Sequence, residues 1–159
     1  MLKGRKIVLR SLEDSDLEFL QKIENNKENW QFGSERKKYS KQNLIDYIKH
    51  AKTDISIAKQ YRFVIDLKGI AIGFIDLFDY NIESAGIGLI ISKDYRNQGF
   101  AKEALGLLVE YAFVTLKMKQ LCANIKKDNI SSIKLFSSCN FIFQRSKYDL
   151  QYFVKFAEK

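Results

Sequence analysis

The residues best suited to chemistry in this sequence are the six from Arg96 to Ala101, which read Arg, Asn, Gln, Gly, Phe, Ala. They follow an apolar run, Ile87 to Ile91, and precede a long stretch with the apolar spacing of a helix. A strand, a tight basic turn and a helix start are predicted in that order. Such a turn directs several backbone N–H groups and the positive end of a helix dipole towards one point. The sequence therefore predicts a pyrophosphate site at this turn.

The turn matches neither of two common phosphate-binding motifs. A P-loop ends in Gly, Lys and Ser or Thr, and the dinucleotide fingerprint needs three glycines, whereas this turn contains only Gly99. The turn by itself leaves the phosphate-bearing ligand open.

A second group of residues begins 33 positions after Arg96, at Asn129. Together, the turn and this group resemble the GNAT superfamily of acetyl-CoA-dependent N-acyltransferases. That family carries Arg or Gln, two residues, Gly, one residue, and Gly or Ala, and later a helix with Asn, a small polar residue and an aromatic residue. The corresponding residues here are Arg96, Gly99, Ala101, Asn129, Ser132 and Phe136. Asn140 and Phe141 stand where the family has glycine and an aromatic residue, and asparagine tolerates the left-handed end of a helix.

The resemblance covers nearly the whole chain and predicts its fold class. It is closest to the branch of ribosomal-protein alanine and spermidine acetyltransferases, from the opening strand, Asn25, Asn26 and the run from Ile72 to Asp79. It implies an α/β fold with a mixed α+β sheet of about seven mostly antiparallel strands, splayed in the middle, and about four helices on both faces. Residues 1–159 would form a single acyl-CoA N-acyltransferase domain, with the sheet splaying open after Ile91.

Apolar spacing predicts the individual elements of this fold. The predicted strands are Arg5–Arg10, Tyr61–Leu67, Ile70–Phe78, Ala85–Ile91, Gln120–Ile125, Phe141–Arg145 and Tyr148–Phe156. The predicted helices begin near Glu13, Ser40, Gly99 and Asn129 and end near Asn25, Thr53, Leu116 and Ser138. The segment Asn26–Tyr39, which contains Trp30 and Phe32, is predicted to be a loop lining the acceptor site.

The resemblance implies acetyl-CoA as co-substrate and no metal. The backbone of the strand before the turn would pair with the pantetheine arm, the turn would bind the pyrophosphate, and Asn129 would hydrogen-bond the pantetheine. The thioester would lie between that strand and the strand Gln120–Ile125. The residues assigned to the cofactor are Leu89, Ile90, Ile91, Arg96, Asn97, Gln98, Gly99, Phe100, Ala101, Asn129 and Phe136.

Two catalytic positions of the family are altered in this chain. Phe136 replaces the tyrosine that many relatives use as acid towards the sulfur, and Gly86 replaces a glutamate that many use as base. The remaining carboxylates near the expected cleft are Asp76, Asp79 and Glu83; we favour Asp76 and Glu83 as catalytic candidates. A solvated strand end would explain the same residues, and acids near the thioester would also hold a cationic amine in place.

The two glycines at period two in the strand before the turn have two explanations. Gly86 and Gly88 point to one face, where a glycine marks either close approach of a ligand to the backbone or a crowded packing face. The sequence does not choose between them.

Composition restricts the class of protein. Twenty-seven basic and 19 acidic residues give a net charge of +8, which suits either nucleic acid or a polyanionic cofactor. No apolar run approaches the roughly 18 residues of a membrane span, so a soluble cytoplasmic protein is expected. Cys122 and Cys139 are expected to be small buried apolar residues, since the single histidine, His50, has no suggestive placement beside them.

These observations predict an N-acetyltransferase that moves an acetyl group from acetyl-CoA to a primary amine by direct transfer in a ternary complex. The amine would be a small polyamine-like molecule or a protein N-terminus. The altered catalytic positions leave a second option, a catalytically silent acyl-CoA-binding module. A nucleic-acid binder is disfavoured because no recognised binding motif is present. A homodimer is one assembly that the sequence leaves open.

Overall fold

A computed structural model of the chain describes residues 1–26 and 39–158. Its strands are β1 (Leu2–Lys3), β2 (Val8–Ser11), β3 (Tyr61–Leu67), β4 (Ile70–Phe78), β5 (Ser84–Ile91), β6 (Gln120–Lys126), β7 (Ile142–Lys147) and β8 (Leu150–Phe156). Its α-helices are α1 (Leu17–Glu24), α2 (Lys41–His50), α3 (Ile55–Ala58), α4 (Phe100–Glu110) and α5 (Ile130–Ser138). A π-helical turn, Tyr111–Thr115, extends α4 to about the predicted end of that helix.

The strands form one mixed sheet in the order β1-β2-β3-β4-β5-β6-β8-β7. Every neighbouring pair is antiparallel except β5 and β6, which are parallel. The predicted fold class, a mostly antiparallel mixed sheet with helices, is confirmed. The described residues contain eight strands and five α-helices rather than about seven and four.

The additional strand lies at the start of the chain, where one strand, Arg5–Arg10, was predicted and two short strands, β1 and β2, are found. The carboxylate of Glu103, in α4, accepts hydrogen bonds from the backbone N–H groups of Lys6 and Ile7 at 3.0 and 2.9 Å. These amides therefore bond to a helix side chain, and the chain forms the two short strands β1 and β2 on either side of them. The unpredicted helix α3 is a single turn capped by Asp54, whose side chain accepts from the N–H of Ser56 at 2.8 Å.

The hairpin of β3 and β4 has the predicted turn. Lys68 and Gly69 both have positive φ, 50° and 90°, the conformation that a two-residue hairpin turn requires. The Asp66 carboxylate accepts from the Gly69 N–H at 2.6 Å and fixes the turn. Across this hairpin Arg62 lies directly opposite Asp76, a pairing on which the site depends.

Successive side chains of a strand point to opposite faces of the sheet, and both faces of this sheet are buried. One face packs against α4, through Ile75, Leu77, Ile87, Ile91, Ala104, Leu105 and Leu108. The opposite face packs against α1 and α2, through Val64, Phe74, Leu20, Ile23, Leu44 and Ile48. We call these the α4 face and the α1/α2 face. Helices on both faces of the sheet were predicted, and that prediction is confirmed.

The two glycines of β5 lie on the α1/α2 face under side chains of β4. A Cβ atom at Gly86 would lie 2.6 Å from the ring of Phe78, and one at Gly88 would lie 3.1 Å from Oδ2 of Asp76. Neighbouring side chains therefore occupy the space in which a larger residue would sit. Of the two explanations offered by the sequence, the crowded packing face is the one that these distances support.

We predict that Gly86→Ala lowers the free energy of unfolding by about 1 kcal/mol, because the Phe78 ring must move to admit the new methyl group. Gly106→Ala is the matched control: it lies inside α4 with nothing within 4 Å of its Cβ position, so it should raise stability by up to about 1 kcal/mol. Urea unfolding of the two variants measures both changes. Equal stabilities would show that the Phe78 ring does not pack on Gly86.

Candidate active site

The central feature of the site is the point at which two parallel strands part. β5 and β6 share three residue pairs, the last of which joins Gly86 to Cys122. Beyond it, β5 stays paired with β4 as far as Ile91, and β6 stays paired with β8 as far as Lys126. Each strand thus follows its antiparallel partner away from the other. We call the space between residues 87–91 and 123–126 the gap.

The predicted position of this opening was wrong. The sheet was expected to splay after Ile91, but the strands part after Gly86. The reason is that only the first three residues of β5, Ser84 to Gly86, pair with β6. From Gly86 to Ile91 β5 pairs with β4, and β6 pairs with β8 along its whole length.

Backbone groups of β5 face the gap at alternate residues. The N–H of Ser92 donates to the carbonyl of Ile72 at 2.8 Å, and bonded pairs in an antiparallel ladder recur every second residue. The polar groups of Ile90 are therefore directed at β4, whereas those of Leu89 and Ile91 are directed into the gap. The carbonyl of Ile91 accepts from Nε of Arg96 at 2.8 Å. An extended ligand in the gap would meet the amide and carbonyl of Leu89 and the amide of Ile91.

The turn between β5 and α4 presents a run of amides. Asn97 and Gly99 both have left-handed backbone conformations, with φ of 62° and 86°, and α4 begins at Phe100. The first backbone bond of the helix runs from the Glu103 N–H to the Gly99 carbonyl at 3.2 Å. Within residues 1–26 and 39–158, no acceptor is found for the amides of residues 97–102. These amides and the helix dipole suit an anion such as a pyrophosphate.

Two further residues assigned to the cofactor have structural roles of their own. Nε of Arg96 ties the turn to the end of β5 through the Ile91 carbonyl. Asn129 caps α5, since its Oδ1 accepts from the Ser132 N–H at 3.3 Å. The cap uses the oxygen of Asn129, and its Nδ2 is the group that remains suited to donating to a ligand.

Phe136 lies on the α4 face of the sheet and is only 4% exposed. Its ring packs edge-on against Phe141, with 5.0 Å between the ring centroids. This position supplies packing and has no proton to donate.

Asp76 belongs to a charged cluster on the α1/α2 face. Oδ1 of Asp76 accepts from Nε of Arg62 at 3.1 Å, and the guanidinium also donates to Glu24 at 2.5 Å. The same guanidinium lies 5.1 Å from the centroid of the Phe74 ring and 5.5 Å from that of Tyr47. Burial raises the pKa of Asp76 above its ordinary value, although the Arg62 cation opposes the shift.

The structure brings Asp76 to the gap and leaves Glu83 outside it. The distance of 3.1 Å from Oδ2 of Asp76 to the Cβ position of Gly88 places the carboxylate over the open part of β5. Glu83 precedes the paired start of β5, is 62% exposed and forms an ion pair with Lys119 at 3.2 Å. Of the two catalytic candidates, Asp76 is therefore the one beside the gap.

Sequence reasoning missed Arg62, the partner of Asp76. The two residues are 14 positions apart and lie directly opposite each other in the hairpin. The predicted turn at Lys68 and Gly69 could have revealed this pair. Pairing residues step by step away from that turn brings Arg62 close to Asp76.

Among the described residues, one recess lies at the gap and another lies beside the Arg62 cluster. The first, of about 130 Å³, is at the point where the strands part and is lined by Phe78, Asp79, Ser84, Ala85, Gly86, Cys122 and Asn124. The second, of about 140 Å³, lies beside α2 and is lined by Tyr47, His50, Ala51, Thr53, Ala58, Gln60, Tyr61 and Arg62. Arg62 thus links the Asp76 cluster to the second recess.

The predicted acceptor-site residues Trp30 and Phe32 lie outside the described residues. The two ends of that segment are tied together, because the side chain of Asn25 donates to the Tyr39 carbonyl at 3.0 Å and accepts from its N–H at 2.7 Å.

Across the described ranges, no helix is long and apolar enough to cross a membrane, and no three metal-ligating side chains cluster.

Comparison with known proteins places this geometry in a family. The acetyltransferase (GNAT) domain profile matches residues 6–142. The chain belongs to the GNAT acetyltransferase family. It is an acetyl-CoA-dependent N-acetyltransferase, and acetyl-CoA is its co-substrate. Of the two options that the sequence left open, these comparisons support the enzyme.

Similar proteins include spermidine N(1)-acetyltransferases. That of Vibrio cholerae is 26% identical over 141 residues, covering 86% of this chain and 79% of the relative. That of Escherichia coli K12 is 28% identical over 144 residues, covering 89% and 75%.

Solved structures of similar fold include two acetyltransferases. The Vibrio cholerae spermidine N-acetyltransferase in complex with CoA and spermine superposes with a TM-score of 0.83 at 24% identity, covering 95% of both chains. The ribosomal L7/L12 alpha-N-protein acetyltransferase RimL, in complex with coenzyme A, superposes with a TM-score of 0.85 at 14% identity, covering 97% of this chain and 96% of that one. At these identities the superpositions show a shared fold.

Replacing Arg62 should make stability depend on pH. Arg62→Met leaves the carboxylates of Asp76 and Glu24 without their cation and should lower the free energy of unfolding by about 2 kcal/mol near neutral pH. This is less than the loss for a fully buried pair, because the side chains of Arg62 and Asp76 are 18% and 24% exposed. The folded-state pKa of Asp76 already exceeds the ordinary value of 3.8 and should rise further in the variant. Stability is then retained at low pH and lost as the pH rises through that raised pKa.

Urea unfolding at pH 5 and pH 8 tests this, with a larger loss expected at pH 8. Lys52→Met, which breaks the exposed Lys52–Glu13 pair, is the matched control and should change stability little at either pH. A loss for Arg62→Met that is the same at both pH values would contradict a buried, charged Asp76.

Proposed function

We propose that the protein transfers an acetyl group from acetyl-CoA directly to a primary amine, within a ternary complex of enzyme, acetyl-CoA and acceptor. The parting of β5 and β6 after Gly86 is the observation that carries the proposal. The parting exposes a backbone edge of β5 with which the extended pantetheine arm of acetyl-CoA could pair. The α1/α2 face beside this edge is left for the acceptor.

The residues around the gap suit each part of acetyl-CoA. The pantetheine arm would pair with the gap-facing groups of Leu89 and Ile91, as an added strand pairs with a sheet edge. The pyrophosphate would meet the amides of residues 97–102, with the charge of Arg96 beside them. Nδ2 of Asn129 would donate to the pantetheine. The thioester would then lie between β5 and β6, near the recess at the parting point.

The acceptor must lose a proton before it attacks. An amine with a pKa of about 10.4 is mostly protonated at pH 7, which costs about 4.6 kcal/mol. Asp76 is the carboxylate placed to take this proton, directly or through water, because it lies over Gly88 on the face open to the acceptor. Its raised pKa makes it a better proton acceptor than an ordinary aspartate.

The acceptor is proposed to be a small polyamine or a protein N-terminus. Glu24 and Asp76 contribute two negative charges against the single positive charge of Arg62, so the cluster is net acidic and would attract a cationic amine. The similar proteins fit this chemistry: one is a spermidine acetyltransferase determined with spermine, and another acetylates the α-amino group of a ribosomal protein.

Arg96→Gln should weaken coenzyme A binding about tenfold, since it removes one charged donor beside the pyrophosphate. Lys93→Gln, in the exposed turn just before it, is the matched control and should change the affinity much less. Calorimetry with acetyl-CoA and coenzyme A measures both. A wild-type protein that binds neither ligand at millimolar concentration would refute the cofactor site.

Asp76→Asn should lower turnover at least about tenfold, because the asparagine cannot accept the amine proton. Glu83→Gln should retain turnover, because its carboxylate lies outside the gap. Release of free thiol from acetyl-CoA measures both, with spermidine, spermine, simple alkylamines and peptides with a free N-terminus as acceptors.

The same assay tests the proposed function. Thiol release that depends on one class of amine supports it and identifies the acceptor. Wild-type protein that releases no thiol with any of these amines would refute it, and an Asp76→Asn variant with the wild-type rate would remove Asp76 from the mechanism.

A further inference from the structure

Phe136 occupies the position that many relatives use for the acid, and its side chain lies in the core on the α4 face. The sulfur of coenzyme A therefore has no proton donor at that position. A phenol is nevertheless present on the α1/α2 face. Tyr152, in β8, lies directly opposite Asn124 of β6, and side chains of directly opposed residues share a face. Because Gly86 pairs with Cys122, this face is also the face of Gly86 and Asp76.

Tyr152 lies one strand away from the gap, directly opposite Asn124, which lines the recess at the parting point. Its hydroxyl interacts with the thiol of Cys122, and that thiol donates to the Ala85 carbonyl of β5 at 3.5 Å. A tyrosine side chain is longer than the roughly 4.8 Å spacing between strands, so the phenol reaches the strand next to its own. Tyr152 and Asp76 therefore stand on the same face, on opposite sides of the gap.

A charged neighbour would stabilise the ionised phenol. Arg145, opposite Tyr152 in β7, places its guanidinium carbon 4.1 Å from the centroid of the Tyr152 ring. Contact with Cys122 and burial raise the pKa of Tyr152, so the phenol carries its proton at neutral pH, while the Arg145 cation acts in the opposite direction. The Arg145 cation is therefore placed to stabilise the tyrosinate that forms when the phenol gives up its proton.

We propose that Tyr152 is the general acid of the acetyl transfer proposed above, donating its phenolic proton to the coenzyme A sulfur. The amine nitrogen forms the C–N bond, the C–S bond breaks, and its electron pair goes to sulfur, which takes the Tyr152 proton to give the free thiol. The tyrosinate then recovers a proton released by the acetylated nitrogen. The proton that Asp76 removed from the ammonium passes to solvent, and no other reactant is consumed.

The test compares Tyr152→Phe with Tyr148→Phe in the thiol-release assay. Tyr152→Phe should lower kcat by about 100-fold, with the acceptor KM and the Kd for acetyl-CoA unchanged, because the phenol acts only as the C–S bond breaks. Tyr148 lies at the tip of the same hairpin and is 85% exposed, so Tyr148→Phe should match the wild-type protein.

A second variant separates chemistry from folding. Arg145→Gln removes the cation from an exposed strand and should lower kcat about tenfold with the Kd for acetyl-CoA unchanged. A Tyr152→Phe variant that keeps the wild-type kcat would overturn the inference while leaving the proposed function intact. If Tyr152→Phe fails to fold, a wild-type kcat for Arg145→Gln overturns it instead. A wild-type protein that releases no thiol refutes the proposed function and this inference with it.

Discussion

The structure depends on a competition between strand pairings in the middle of the sheet. β5 and β6 are joined by only three residue pairs, whereas each has a long antiparallel partner on its other side. The antiparallel ladders determine the direction of both strands, and the right-handed twist of a sheet separates them once the parallel pairs end. The resulting gap leaves backbone groups of Leu89 and Ile91 without a strand partner. Unpaired backbone groups at a strand edge can pair with an extended ligand as an added strand would, so the gap favours a ligand that can complete the ladder.

The same gap explains the arrangement of charges around it. The amides of the turn after β5 lie at one end, and the acidic cluster around Arg62 lies on the α1/α2 face. A polyanionic cofactor and a cationic acceptor are therefore attracted to different parts of one site. The overall charge of +8 is consistent with a polyanionic ligand, and the local net negative charge near Asp76 is an exception that suits an amine.

The sequence predicted those features that depend on local spacing. Asn129 and Ser40 were predicted at helix starts, and each caps its helix; β3 and β4 begin and end at the predicted residues. Features that depend on pairing at a distance were not predicted. The parting point after Gly86 depends on the pairings among four strands, β4, β5, β6 and β8. The Arg62–Asp76 pair depends on the register between β3 and β4. Tyr152 lies opposite Asn124 only because β8 is inserted between β6 and β7, an order that no local pattern reveals.

Hydrogen exchange of the β5 amides, followed by NMR with and without coenzyme A, tests the central claim most directly. The alternation of the ladder directs the amides of Leu89 and Ile91 into the gap and those of Gly88 and Ile90 to β4. Saturating coenzyme A should slow exchange at Leu89 and Ile91, while Gly88 and Ile90 should be protected in both states. Exchange at Leu89 and Ile91 that is unchanged when calorimetry shows coenzyme A bound would contradict the account.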